Sequence, residues 1–245
     1  MRRALVSQAA VPLLSLATTK IDLDAVLFDA GGTLIRLDYA FMRECARRRH
    51  HDVSDAALAR GEAAVRREID RRAALVSGSR DRDADRVAMY FGGVLESAGV
   101  AREAAEAAAA ELAEEHARAN LWRVAMPGAA EALAALRARG FRVGVVSNAD
   151  GRVAALLAAA GLAPHLETIV DSHLEGVEKP DPEIFHRALA RLGVAAARTA
   201  YVGDIHSIDV LGARAAGLAA ILIDETGGYA DVECPRIAVL AELLG

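Results

Sequence analysis

Short apolar runs alternate with stretches of helical periodicity over most of this chain. Residues 23–29, Leu-Asp-Ala-Val-Leu-Phe-Asp, form an apolar run closed by an acid and then Gly31-Gly32, which reads as a buried strand ending in a tight turn. From about residue 39 to residue 126 the character changes. Leu58, Val65, Ile69, Ala73 and Val76 recur at helical spacing, residues 101–119 are rich in alanine and glutamate, and 77–83 read as a polar loop. Nothing in this stretch alternates like a strand, so a helical insert of roughly four helices is expected.

After Pro127-Gly128 the rhythm changes again. Helices are expected over 129–139, 151–160, 182–192 and 207–216, with strands over 141–147, 166–170, 199–203 and 219–223. Strands alternating with helices of about ten residues are βαβ units, which predicts an α/β fold with a mostly parallel sheet covered by helices on both faces. Ligands of such sheets sit at the carboxyl ends of the strands, near the point where strand order reverses. Four strands end in polar or acidic residues, Asp29, Ser147-Asn148, Asp171 and Gly203-Asp204, and these are expected to converge.

Composition narrows the function classes. With 245 residues, 53% of them hydrophobic, the chain is neither disordered nor long enough for three domains. No stretch approaches the ~20 continuous apolar residues of a membrane span. A net charge of −5 argues against a dedicated nucleic-acid binder. Cys45 and Cys234 stand far apart and form neither a disulfide framework nor a zinc site, so a reducing cytoplasm is the simplest setting. Residues 1–21 begin with Arg2-Arg3 and an apolar run that Ser7, Gln8, Pro12 and Ser15 interrupt. A loose N-terminal extension is expected there rather than an export signal. Only Lys20 and Lys179 are lysines among 29 basic residues, which singles out both.

A carboxylate at the end of an apolar strand is costly unless it binds a cation or collects hydrogen bonds, so Asp29 reads equally as a turn cap or as a nucleophile or metal ligand. Asp204 and Asp209, five apart at a helix start, are by themselves ordinary helix-capping acids. Beside Asp29 they would make an oxygen-rich site for a hard cation such as Mg²⁺. Ser147-Asn148 reads as a simple turn and Lys179 as a solvated loop lysine, or else as the hydroxyl and ammonium that stabilise phosphoryl oxygens.

Four motifs in order, Phe28-Asp29-Ala30-Gly31-Gly32-Thr33-Leu34, Val145-Val146-Ser147-Asn148, Glu178-Lys179-Pro180-Asp181-Pro182 and Val202-Gly203-Asp204 with Asp209, resemble those of the haloacid dehalogenase superfamily of hydrolases. The resemblance implies a Rossmann-like core from 22–38 and 127–245, with an all-helical cap over 39–126. It implies that Asp29 is the nucleophile and forms an aspartyl-phosphate that water hydrolyses. Mg²⁺ would be held by Asp29, the backbone carbonyl of Gly31 and Asp204, with Asp209 in support. Ser147 and Lys179 would bind the transferring group, with Gly32, Thr33 and Asn148 beside the substrate. The expected activity is Mg²⁺-dependent hydrolysis of a small phosphorylated metabolite.

One departure stands out. Phosphatases of this superfamily usually carry a second Asp two residues after the nucleophile, an acid–base group worth about 10²–10⁴ in rate. Gly31 occupies that position. A substrate with a good leaving group, a substitute such as His206, or a slow or non-catalytic protein with a binding role would each accommodate it. Hydrolysis of 2-haloacids is a further alternative, because a halide leaves without a proton, although such dehalogenases generally need no metal. The clusters Arg47-Arg48-Arg49, Arg66-Arg67 and Arg71-Arg72 are expected to form a solvated face, and Trp122 to serve core or hinge packing.

Overall fold

The computed structural model describes residues 13–16, 19–75 and 83–244. Strands β1 (Leu13–Leu16) and β2 (Thr19–Asp22) pair antiparallel, so part of the expected loose extension is a hairpin, while residues 1–12 lie outside the described residues. Next comes β3 (Ala25–Phe28), buried along its whole length. Its Val26 and Phe28 enter one apolar cluster and its Ala25 and Leu27 another, the two-residue period of a strand covered on both faces.

After β4 (Ile35–Leu37) the chain runs through four helices, α1 (Tyr39–Arg47), α2 (Asp55–Leu75), α3 (Asp83–Ser97) and α4 (Arg102–Ala119). These have an apolar cluster of their own, centred on Met42, Leu58, Phe91, Val94 and Leu112. Asp38 caps α1, its carboxylate accepting from Phe41 N at 3.0 Å. The polar loop expected over 77–83 lies outside the described residues, save Asp83 at the start of α3. The chain returns through β5 (Trp122–Ala125), which pairs antiparallel with β4. That strand sits inside the stretch expected to be wholly helical. At four residues its alternation is too short to register against the long helical pattern before it.

The remaining elements are α5 (Ala129–Ala138), β6 (Arg142–Ser147), α6 (Val153–Ala159), β7 (Thr168–Asp171), the short α7 (Ser172–Glu175) and α8 (Pro182–Leu192). They are followed by β8 (Thr199–Gly203), α9 (Leu211–Ala215), β9 (Ala219–Ile223) and β10 (Arg236–Ile237). The main sheet has the order β10-β9-β8-β3-β6-β7 and every pair in it is parallel. From β3 the chain builds outward through β6 and β7, then crosses back to build through β8 on the other side. Strand order therefore reverses at β3, and a crevice opens at its carboxyl end. Where a helix over 207–216 was expected, a wide π-turn (His206–Val210) precedes α9, a local widening frequent at functional sites. No described helix is long and apolar enough to cross a membrane.

Candidate active site

Asp29 is held at the tip of β3 by its own backbone, whose N–H donates to Val202 O on β8 at 2.8 Å. The turn after it folds tightly, with Leu34 N and Ile35 N both reaching Ala30 O at 2.9 Å. Gly32 lies at φ +83°, and a Cβ there would overlap the Asp204 carboxylate, so this position requires glycine. Asp204 follows β8 directly, and the π-turn swings Asp209 back beneath it. Asp209 Oδ2 accepts from Asp204 N at 3.2 Å and Ile205 N at 2.9 Å. Those two amides fix the loop that carries Asp204.

Lys179 lies at the centre of this group. Its Nζ donates to Asp29 Oδ1 at 2.6 Å, Asp209 Oδ1 at 2.7 Å and the Tyr201 hydroxyl at 2.9 Å, which satisfies all three ammonium protons. The residue is buried, and its backbone is gripped at both ends by one side chain. Asn148 Nδ2 donates to Lys179 O at 2.9 Å, and Lys179 N donates to Asn148 Oδ1 at 2.8 Å. Asn148, expected beside the substrate, thus positions the lysine in this structure. Tyr201 reads in sequence as an ordinary core aromatic of β8, and its role as a partner of the ammonium has no local signal.

The carboxyl groups Asp29, Asp204 and Asp209 are buried, with oxygens within 4.8 Å of one another. Among the described residues Lys179 and Arg66 are the cations paired with them, two positive charges against three negative. Burial pushes the Asp29 carboxyl up to about 6, against the opposing pull of Lys179. It raises Asp204 in the same direction, against Arg66. Burial disfavours the Lys179 charge, but Asp209 and Asp29 outweigh it and keep the ammonium protonated.

The other expected residues divide. Ser147 lines the cleft beside Asp29. Thr33 is fully buried with its hydroxyl lacking a hydrogen-bond partner, and it does not line that cleft. Asp171, a strand-end acid expected to converge on the site, instead accepts from His173 N at 3.0 Å and Gly151 N at 3.2 Å, capping α7 and pinning the loop after β6. His206 is absent from the cleft wall; its charged neighbours are Asp70, Arg214, Arg67 and Asp231.

Sequence reasoning missed the contribution of α2. Arg71 and Arg72 do lie on an exposed face, paired with Glu68. Arg66 does not: its Nε is 2.8 Å from Asp204 Oδ2, as a charge contact without the alignment of a hydrogen bond. Behind it sits Glu62, almost fully buried, 3.4 Å from Arg66 Nη2 and accepting from the hydroxyls of Tyr39 and Tyr90. Asp70, one turn further, accepts from Ser207 N at 2.7 Å, and Arg67 pairs with Asp231 at 2.8 Å. Helix α2 is thereby docked on the loops after β8 and β9. On the opposite side Arg152, in the loop after β6, donates to the carbonyls of His116 and Ala117 at 2.9 and 3.0 Å, where cations favour a helix C-terminus.

Between these contacts lies a cleft of about 790 Å³ with Asp29, Lys179 and Asp204 on its wall. Trp122 lines it as well, and its indole lies against Gly31. A Cβ on that glycine would be 3.1 Å from Cδ1 of the ring and 3.3 Å from Nε1.

Known proteins resemble this chain in sequence and in fold. A family model described as a hydrolase family, haloacid dehalogenase-like hydrolase, matches residues 23–217. Haloacid dehalogenase-like hydrolase domain-containing protein 3 of Bos taurus is 39% identical over 104 residues, which are 42% of this chain and 41% of that protein. A phosphoserine phosphatase of Thermus thermophilus is 38% identical over 135 residues, covering 55% of this chain and 53% of its own. The chain thus spans about half or less of the length of the curated relatives it matches. A crystal structure of a phosphatase from Thermococcus onnurineus shares the fold, with a TM-score of 0.54, 24% identity and coverage of 90% of this chain and 96% of its own.

Proposed function

From the premise that this chain belongs to the haloacid dehalogenase-like hydrolases, we infer that it hydrolyses small phosphate monoesters through Asp29. The observation that carries this reading is the ammonium of Lys179 bound to Asp29 Oδ1 at 2.6 Å at the reversal of strand order, with Ser147 on the same cleft wall. An oxygen of Asp29 attacks phosphorus, the bond to the ester oxygen breaks, and water then cleaves the aspartyl-phosphate to return the carboxylate. Lys179 orients the nucleophile and, with Ser147, meets the charge of the transferring oxygens. The helical insert acts as a cap, excluding water while its docked α2 faces the reaction centre.

The donor set fits Mg²⁺. Hard carboxylate oxygens from three buried acids lie within 4.8 Å of one another, and burial with one uncompensated negative charge already pushes Asp29 and Asp204 toward protonation. Asp29 and Asp204 would hold the ion, with Asp209 bracing Asp204 and the Gly31 carbonyl as a further ligand. When bound, such an ion offsets the repulsion between a carboxylate and a phosphate dianion.

Arg66 offsets part of the Asp204 charge on which the ion would depend. Arg66→Met is therefore expected to tighten Mg²⁺ binding by roughly tenfold, because the competing charge is gone. Calorimetric titration with MgCl₂ reads this without turnover; weaker binding would instead mean that Arg66 orients Asp204 for the ion.

The direct test is hydrolysis of p-nitrophenyl phosphate in Mg²⁺ and in EDTA, followed from the first turnover. Mg²⁺-dependent release with ³²P trapped on Asp29 is the expected result. One observation favours a second reading, hydrolysis of a carbon–halogen bond: the indole against Gly31 fills the space a second acid at that position would take, and a halide needs no proton to leave. Halide release from 2-chloropropionate, insensitive to EDTA, would replace the first reading with this one.

A further inference from the structure

Two features of the cleft bear on the identity of the leaving group. First, among the described residues no acid stands beside the nucleophile on its Gly31 side. That glycine has no side chain, and the space it leaves is closed by Cδ1 and Nε1 of the Trp122 ring. Elsewhere on the wall, His116 accepts from Leu121 N through Nδ1 and has Nε2 3.9 Å from Asp150, while His173 and Glu178 are exposed at the rim. Burial also pulls the His116 imidazole below its usual range, favouring the neutral ring. An alkyl ester leaving as an alkoxide finds, among the described residues, no acid on the Gly31 side to protonate it. A phenol, with a pKa of about 10 like that of a tyrosine side chain, departs as phenolate and takes its proton from water afterwards.

Second, the wall that faces the departing group is aromatic and apolar. Trp122 packs at 5.4 Å from Tyr90 and 5.5 Å from His116, ring centre to ring centre, and Val87, Ala113 and Leu156 extend the surface. Among the described residues the one arginine on the cleft wall is already engaged: Arg152 is bound to Asp150 and to the carbonyls of His116 and Ala117. Flat apolar groups stack on such a wall.

We propose that the substrates are aryl phosphate monoesters, with the ring of the leaving group lodged against Trp122 and Tyr90. This rests on the phosphatase reading above. Asp29 Oδ forms the new bond to phosphorus, the phosphorus–oxygen bond to the ring breaks, and the electron pair leaves on the phenolate oxygen. Water then hydrolyses the aspartyl-phosphate to inorganic phosphate.

Trp122 is the only tryptophan of the chain, so binding at this wall has its own optical probe. Phenylphosphonate, which cannot be hydrolysed, should quench Trp122 emission and bind about tenfold more tightly than methylphosphonate. Phenyl phosphate should exceed ethyl phosphate in kcat/KM by about 10² or more, the size of an absent general acid. Equal affinities for the two phosphonates, or equal kcat/KM for the two esters, with p-nitrophenyl phosphate still hydrolysed in Mg²⁺, would overturn the proposal and leave the phosphatase reading intact. Failure to hydrolyse any of the esters, with no phosphonate bound, would overturn both.

Discussion

Asp29→Asn is expected to lower kcat for p-nitrophenyl phosphate by about 10⁴-fold or more, because the amide cannot form the acyl-phosphate on which both half-reactions depend. The same change should leave the fold nearly unaltered. An amide keeps the shape and the acceptor that Lys179 uses at 2.6 Å, and burial already disfavours the negative charge at this position. Loss of a desolvated charge and loss of one ion-pair partner oppose each other, so stability should move by about 1 kcal/mol or less. Steady-state rates and urea unfolding, measured on one preparation, separate the two effects. Residual turnover near the wild-type value would remove Asp29 from the chemistry.

Lys179→Met should do the reverse and damage the fold itself. Its ammonium is the shared partner of Asp29 and Asp209 and a donor to Tyr201, all in a region closed to solvent. Removing one partner of a buried ion pair strands the other, which costs about 3–5 kcal/mol. For a chain of this size that corresponds to a melting temperature lower by about 10 °C. Adding Asp209→Asn to the lysine variant removes one stranded charge and should recover part of the loss, a coupling that a double-mutant cycle in EDTA measures. Additive losses would show that Lys179 and Asp209 do not act as a pair.

The two variants test different parts of one arrangement. Asp29 is placed by backbone pairing to β8, whereas Lys179 is placed by the grip of Asn148 on its peptide and by the carboxylates around its head. The parallel sheet was legible in the sequence because each strand is a short apolar run, and a strand covered on both faces needs nothing more to declare itself. The reversal of strand order then gathers strand ends without further instruction. Asp29 and Asp204 follow directly from that rule.

The rule has a limit that Asp171 exposes. It too is an acid at the end of a buried strand, yet three backbone N–H groups, of Gly151, Val153 and His173, occupy its carboxylate and make it a structural cap. The local signal is the same for all these acids; what differs is which amides the next loops bring near. Arg66 presents the same difficulty on a helix. Along α2 it cannot be told from Arg67, Arg71 or Arg72, and only docking of the helix on the loop after β8 gives it Asp204, while Arg67 meets Asp231 and Arg71 and Arg72 pair with Glu68 on the exposed face.

Sequence by itself determined the α/β sheet, the helical character of the insert and the carboxylates at the reversal of strand order, since periodicity records which faces are buried. Tertiary structure alone decided the charge partners and the shape of the cleft. Lys179 and Asp29 are 150 positions apart, and the indole that fills the space beside Gly31 arrives on a four-residue strand. A polar group's energy depends on what it meets after desolvation, and that is set by packing between distant elements rather than by the pattern along any one of them.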